Sequence, residues 1–170
     1  AKTLTGSKGQ GVFIIDSKPS LNSVIDAIQK IDEEEEIILQ EYIDMKSDMR
    51  IIVLDGKVVG VMNRGKVKND FRSNFSMGAK IKKVSISKEI EELALKATKV
   101  IGCYYCGVDI AISAKTKKPY IIEVNSSPGS EGIEMATKQN IVGDFIDHIL
   151  DKDNWMYSPT IVGRRETLSV

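Results

Sequence analysis

Asp55-Gly56-Lys57 separates two apolar runs, Arg50 to Leu54 and Val58 to Arg64, and an Asp-Gly step in that setting turns a chain back on itself as a tight hairpin. A second pair of runs, Tyr104 to Ser113 and Pro119 to Asn125, flanks Ala114-Lys115-Thr116-Lys117-Lys118 and reads as a second hairpin. Around them the apolar spacing is helical. Leu21, Val24, Ile25, Ile28 and Ile31 form one stripe, with Pro19 and Ser20 as start signals. Lys88 to Ile101 carries Ile90, Leu93, Ala94, Ala97, Val100 and Ile101 on one face and stops at Gly102. A last helix is expected from about Glu131 to Leu150, and Ile37 to Ile43 and Ile81 to Ile86 read as further strands. Hairpins interleaved with helices predict an α+β chain with a largely antiparallel sheet, not a doubly wound parallel one.

Composition narrows the function classes. Formal net charge is zero over 170 residues, so no global basic field points to nucleic acid. Apolar residues make up 42% and charged residues 28%, the balance of a soluble globular chain. No apolar run approaches the roughly 20 residues of a membrane helix, and no signal peptide opens the chain. These features lead us to expect no nucleic-acid and no membrane partner. The chain starts at Ala1 without an initiator Met, and the expectation is a piece of a longer protein lacking its N-terminal part.

Cys103 and Cys106 form a C-x-x-C, but a zinc site needs about four ligands and His148 is the sole histidine. The pair follows Gly102 at a helix end, where no helix N-terminus lowers a thiol pKa. Buried, inert cysteines are expected, and the lack of a disulfide framework fits a reducing, cytoplasmic setting.

Several polar residues stand where chemistry is possible. Asp109 lies in Gly107-Val108-Asp109-Ile110; Glu123 and Asn125 lie two apart in Ile121-Ile122-Glu123-Val124-Asn125 and so share a strand face. With the turn near residues 116–117, Asp109 falls opposite Glu123 and Val124. Such hard oxygen donors suit magnesium, and facing carboxylates repel unless a cation sits between them; ordinary polar residues on a solvated face are the alternative. Ser126-Ser127-Pro128-Gly129 follows, leading into a helix start whose N–H groups can face an anion, or forming a plain turn. Near the start, Lys2 precedes Gly6-Ser7-Lys8-Gly9-Gln10-Gly11. That string is neither a Walker loop nor a dinucleotide fingerprint, though a glycine-rich flap can offer N–H groups to phosphates. Gln40-Glu41-Tyr42-Ile43 and Asp48-Met49-Arg50 place polar groups just after a strand, where adenine and ribose contacts are possible. The stretch Gly65 to Lys80 is too long for an ordinary hairpin loop, and Arg64 and Arg72 offer forked donors for phosphate or carboxylate.

Together these strings resemble the ATP-grasp superfamily, and within it the RimK-type ribosomal-protein glutamate ligases. The matching segments are Lys2 with GSKGQGV, LQEYI, SDMRIIVLDGKVVGVMNR, NDFRSN, GVDI and IIEVNSSPGSEGIE, in family order over about Lys2 to Ile149. Ser130 departs from the apolar residue usual in the last motif. The resemblance implies an ATP-grasp fold, two α+β lobes with mainly antiparallel sheets sandwiching the nucleotide. Residues 1–150 would form the nucleotide- and metal-binding region and 151–170 a tail or linker. It also implies roles: Lys2 on the phosphates; Glu41, Tyr42 and Ile43 at the adenine; Asp48 near the ribose; Arg72, Ser73 and Asn74 in a closing loop. Asp109, Glu123 and Asn125 would be the magnesium or manganese ligands, for two ions. Arg64 would steady the acyl-phosphate and tetrahedral intermediate, with Arg50 in support. The implied activity is ATP-dependent joining of an amino acid, glutamate first, to a protein or peptide carboxyl, with a homo-oligomer possible. A nucleotide-binding module without ligase activity is the competing reading; intact Lys2, Asp109, Glu123 and Asn125 count against it.

Overall fold

The computed structural model describes residues 1–5, 10–45, 47–65 and 78–151. In chain order the elements are β1 (Lys2–Thr3), α1 (Lys18–Ile31), β2 (Ile37–Ile38), β3 (Ser47–Leu54), β4 (Lys57–Gly65), β5 (Ile81–Lys83), α2 (Lys88–Ile101), β6 (Tyr105–Ile112), β7 (Pro119–Asn125), α3 (Glu131–Thr137) and α4 (Ile141–Leu150). β1 and β2 pair antiparallel as a small sheet, and the other five strands form one sheet in the order β5-β4-β3-β6-β7, antiparallel at every step.

The β3–β4 hairpin closes through Asp55 and Gly56, both at positive φ (48° and 68°), the backbone a two-residue primed turn requires. Glycine adopts that φ at no steric cost, which is why it takes the second position. Alternation then sorts the central strands into two faces. Met49, Ile51 and Val53 of β3 and Cys106, Val108 and Ile110 of β6 pack with Ala94 and Ala97 of α2. On the other face Ile52 and Met62 pack with Ile133 of α3 and Ile141 of α4. Two helical layers therefore cover the sheet, but α3 and α4 cover only part of their face, and the remainder of that face carries charge.

Two single-residue register shifts decide which charged residues lie there. Near its turn the β3–β4 ladder pairs Leu54 with Lys57; past the irregularity at Ile52/Val53 it pairs Asp48 with Arg64. Without that bulge Arg64 would point to the α2 face, because a one-residue slip inverts every side chain. The shift between Asp109 and Ile110 does the same on β7, setting Glu123 opposite Asp109 and Asn125 opposite Gly107.

Some element boundaries differ from the sequence expectation. α1 begins at a capping box that the periodicity misses: Ser17 Oγ accepts from Ser20 N, and Ser20 Oγ accepts from Ser17 N. The strand expected over Ile37 to Ile43 pairs only at Ile37–Ile38, since β1 offers two residues, and the strand expected to Ile86 ends at Lys83. The helix expected from Glu131 to Leu150 is two helices. Lys138 adopts a left-handed backbone (φ 61°), and Asn140 starts α4 by accepting Gly143 N on its side chain. α2 runs over the expected residues and ends at Gly102, in left-handed conformation.

Both cysteines are free thiols, and burial pushes Cys106 up to about 12. At pH 8 the Cys106 thiol stays protonated and enclosed. Iodoacetamide is therefore expected to leave it unmodified in the folded chain and to alkylate it in urea, as peptide mass mapping would show.

Candidate functional site

Six of the expected residues meet in one row across the part of the sheet that α3 and α4 leave free. At the β4–β3 step, Arg64 Nε donates to Asp48 Oδ1 at 3.1 Å and its Nη2 donates to Asp48 Oδ2. The same Nη2 lies 2.7 Å from Asp109 Oδ2 on β6. Arg50 closes a fork on Asp109, with Nε to Oδ1 at 2.8 Å and Nη2 to Oδ2 at 2.7 Å. Its Nη2 lies 3.8 Å from Glu123 Oε1 on β7. Lys2, from the small sheet, reaches Glu123 Oε2 at 3.1 Å. Asn125 follows on the same face of β7, its Oδ1 accepting from Ser127 N at 3.0 Å. Three carboxylates and three cations thus alternate across four strands and onto β1.

Burial grades this row. The side chains of Asp48, Arg64 and Asp109 are 4–6% exposed, whereas those of Lys2 and Glu123 are 37% and 38% exposed. Burial by itself pushes the Asp109 carboxyl up, but hydrogen bonds and charge from Arg50 and Arg64 prevail and hold it below the usual carboxylate range. Burial likewise disfavours the Arg64 cation, and the charges of Asp109 and Asp48 outweigh it, so Arg64 is raised and fixed as a cation. A permanently charged fork held by two carboxylates is a preorganised donor for developing negative charge.

The β6–β7 register shift puts hard oxygen donors of Asp109, Glu123 and Asn125 on one face, and that donor set fits magnesium or manganese. Among the described residues Asp109 Oδ1 takes a single hydrogen bond, which leaves it a lone pair, and Glu123 opens to solvent. Among the described residues no three His, Cys, Asp or Glu side chains gather as ligands, so the third protein oxygen would be the Asn125 amide.

Asp48 has a position the sequence motif did not convey. It is expected near a ribose, yet it is buried with both oxygens bonded to Arg64. Those bonds hold the arginine between Asp48 and Asp109. The opposition of Asp48 to Arg64 was hidden by the bulge, although its alternation with Arg50 was readable. Glu41 and Tyr42 are exposed and Ile43 half-buried; no described bond joins them to the charged row. Arg72, Ser73 and Asn74, part of the glycine-rich loop and residues 152–170 lie outside the described residues.

Gly107 was not foreseen as a site residue. A Cβ there would meet Pro128 Cβ at 2.9 Å, with Arg50 Nε at 3.5 Å. A bare backbone lets the Ser126-Ser127-Pro128-Gly129 turn lie against β6 next to Asn125. Gly107→Ala is expected to displace that turn and to destabilise the chain by about 1–3 kcal/mol, measurable by urea denaturation.

The family model for the RimK-like ATP-grasp domain matches residues 1–149. The chain belongs to this family. A relative from Maridesulfovibrio salexigens described as a probable alpha-L-glutamate ligase is 39% identical over 150 residues, covering 87% of this chain and 48% of the relative. One from Shewanella halifaxensis with the same description is 39% identical over 156 residues, covering 91% of this chain and 33% of the relative. The chain therefore spans about half or less of the length of these curated relatives. Among solved structures, the ATP-grasp ligase PsnB complexed with a phosphomimetic variant of its minimal precursor, Mg and ADP superposes with a TM-score of 0.55. It is 27% identical, and the match covers 65% of this chain and 34% of PsnB. The D-alanine–D-alanine ligase of Bacillus anthracis matches at a TM-score of 0.63 and 20% identity, over 88% of this chain and 52% of that one, which shows the ATP-grasp fold. The α+β architecture expected from the sequence is thus the family's. Among the described residues no helix is long and apolar enough to cross a membrane.

Proposed function

We propose that this chain carries the nucleotide- and metal-binding part of an ATP-dependent carboxylate–amine ligase that adds glutamate to a protein or peptide carboxyl group. The observation that carries the reading is the row of three cations and three carboxylates on one sheet face, in a chain of this family.

The reaction has two stages. The γ-phosphoryl group of ATP passes to a substrate carboxylate, giving an acyl-phosphate and ADP; an amine then attacks the acyl carbon, and phosphate leaves as the amide forms. Asp109, Glu123 and Asn125 would hold one or two magnesium or manganese ions, which supply charge neutralisation at the phosphates. Lys2 binds phosphate oxygens, and Glu41, Tyr42 and Ile43 contact the adenine. Arg72, Ser73 and Asn74 close over the nucleotide. Asp48, given to the ribose by the family resemblance, is assigned here to positioning Arg64. Arg64, clamped by Asp48 and Asp109, faces the oxyanion of the tetrahedral intermediate, with Arg50 beside it. Cytoplasmic location and homo-oligomer formation are parts of the same proposal.

The acyl-phosphate is the feature to test. With a substrate whose carboxyl carries oxygen-18, one labelled oxygen is expected in the released phosphate of the longer protein. Phosphate free of label would exclude this route. The Cys103→Ser, Cys106→Ser double variant is expected to keep turnover within a few-fold, since neither thiol lies in the charged row; a large loss from a folded variant would reopen a redox role.

A further inference from the structure

The carboxylates assigned above to metal binding are both engaged by the protein's own cations. Asp109 accepts the two-bond fork of Arg50, and Glu123 accepts Lys2 at 3.1 Å with Arg50 Nη2 at 3.8 Å on its other oxygen. The two cations come from separate sheets: Lys2 from β1, Arg50 from β3. Arg64 differs from both, because Asp48 holds it by two further bonds. A divalent ion bound to Asp109 and Glu123 would sit roughly 2.1 Å from their oxygens. The ion, Lys2 and Arg50, with Arg64 already 2.7 Å from Asp109, would then crowd the two carboxylates in a partly buried site, where charges are weakly screened. Lys2 and Arg50 can leave at little cost only if other anions receive them, and nucleotide phosphates are the anions this site would admit.

We propose that Lys2 and Arg50 are internal counter-cations that occupy the metal-binding carboxylates and exchange them for phosphate oxygens when metal and nucleotide enter together. The inference rests on the function proposed above. It makes metal and nucleotide binding mutually dependent: each cation opposes metal alone and assists the metal–nucleotide complex. Arg64 stays on Asp48 throughout.

The test is a pair of titrations, manganese alone and magnesium with ADP, on the parent chain and on Lys2→Met, Arg50→Met and Lys88→Met. Lys2→Met is expected to bind manganese alone roughly two- to fivefold tighter, as befits a half-exposed pair, and magnesium–ADP more weakly. Arg50→Met is expected to move both in the same directions by more. Lys88, on the exposed surface of α2, is expected to change neither. Opposite signs for the two ligands support the exchange. Parallel weakening, no change, or equal tightening in Lys88→Met would overturn it. Should Arg50→Met fail to fold, Lys2→Met decides alone, because its pair is over a third exposed. Magnesium-dependent ADP binding without opposite signs would sink the exchange and leave the proposed function standing; absence of metal-dependent ADP binding in the folded parent chain would sink both.

Discussion

Asp109→Ala is expected to lose about 3–5 kcal/mol of stability, the range for breaking a buried ion pair from one side, together with all metal-dependent nucleotide binding. Both Arg50 and Arg64 grip Asp109, and its removal leaves Arg64 with Asp48 and Arg50 with only the longer contact to Glu123 at 3.8 Å, two guanidinium groups that have lost the anion they share. Replacement by a well-packed apolar residue does not rescue this, because the arginines remain. Asp109→Asn keeps the shape and one acceptor. It is expected to fold with a smaller loss and still to fail in metal binding. Urea denaturation followed by circular dichroism separates the two effects.

Arg64→Lys is expected to lower turnover of the longer protein by about 10²–10³-fold, the scale for removing one preorganised oxyanion donor, while nucleotide affinity changes only a few-fold. Lysine keeps the charge but lacks the fork that satisfies Asp48 with two donors and reaches Asp109 with the same nitrogen. A fall in kcat with little change in KM for ATP is the pattern that assigns Arg64 to the reacting group. A comparable loss in ATP affinity would assign it to the nucleotide instead. Asp48→Asn, which loosens Arg64 on the positioning role proposed for Asp48, is expected to show the same pattern in weaker form.

Much of this arrangement was legible before any coordinates. The Asp55-Gly56 turn, both hairpins, α2 to its terminal glycine and the shared face of Glu123 and Asn125 follow from local rules of turn chemistry and period. The missed features share a cause. The bulges at Ile52/Val53 and Asp109/Ile110 leave no mark on composition, yet they decide that Arg64, Glu123 and Asn125 face the same way as Arg50. The division of α3 from α4 rests on one left-handed lysine and one asparagine cap, which a continuous apolar stripe conceals. The partnership of Asp48 with Arg64 depends on the first bulge, so the family motif alone placed Asp48 by analogy. Gly107 needed the position of Pro128, a contact across 21 residues of chain.

On the function proposed above, the β3–β7 face binds nucleotide through a metal held by Asp109, Glu123 and Asn125. Calorimetric titration of this chain with ATP, with and without magnesium and beside Glu123→Ala, tests it most directly. Magnesium-dependent binding is expected in the parent chain and its loss in the variant, with the circular dichroism of both unchanged. Equal binding with and without magnesium, or a Glu123→Ala variant that binds as the parent does, would contradict it.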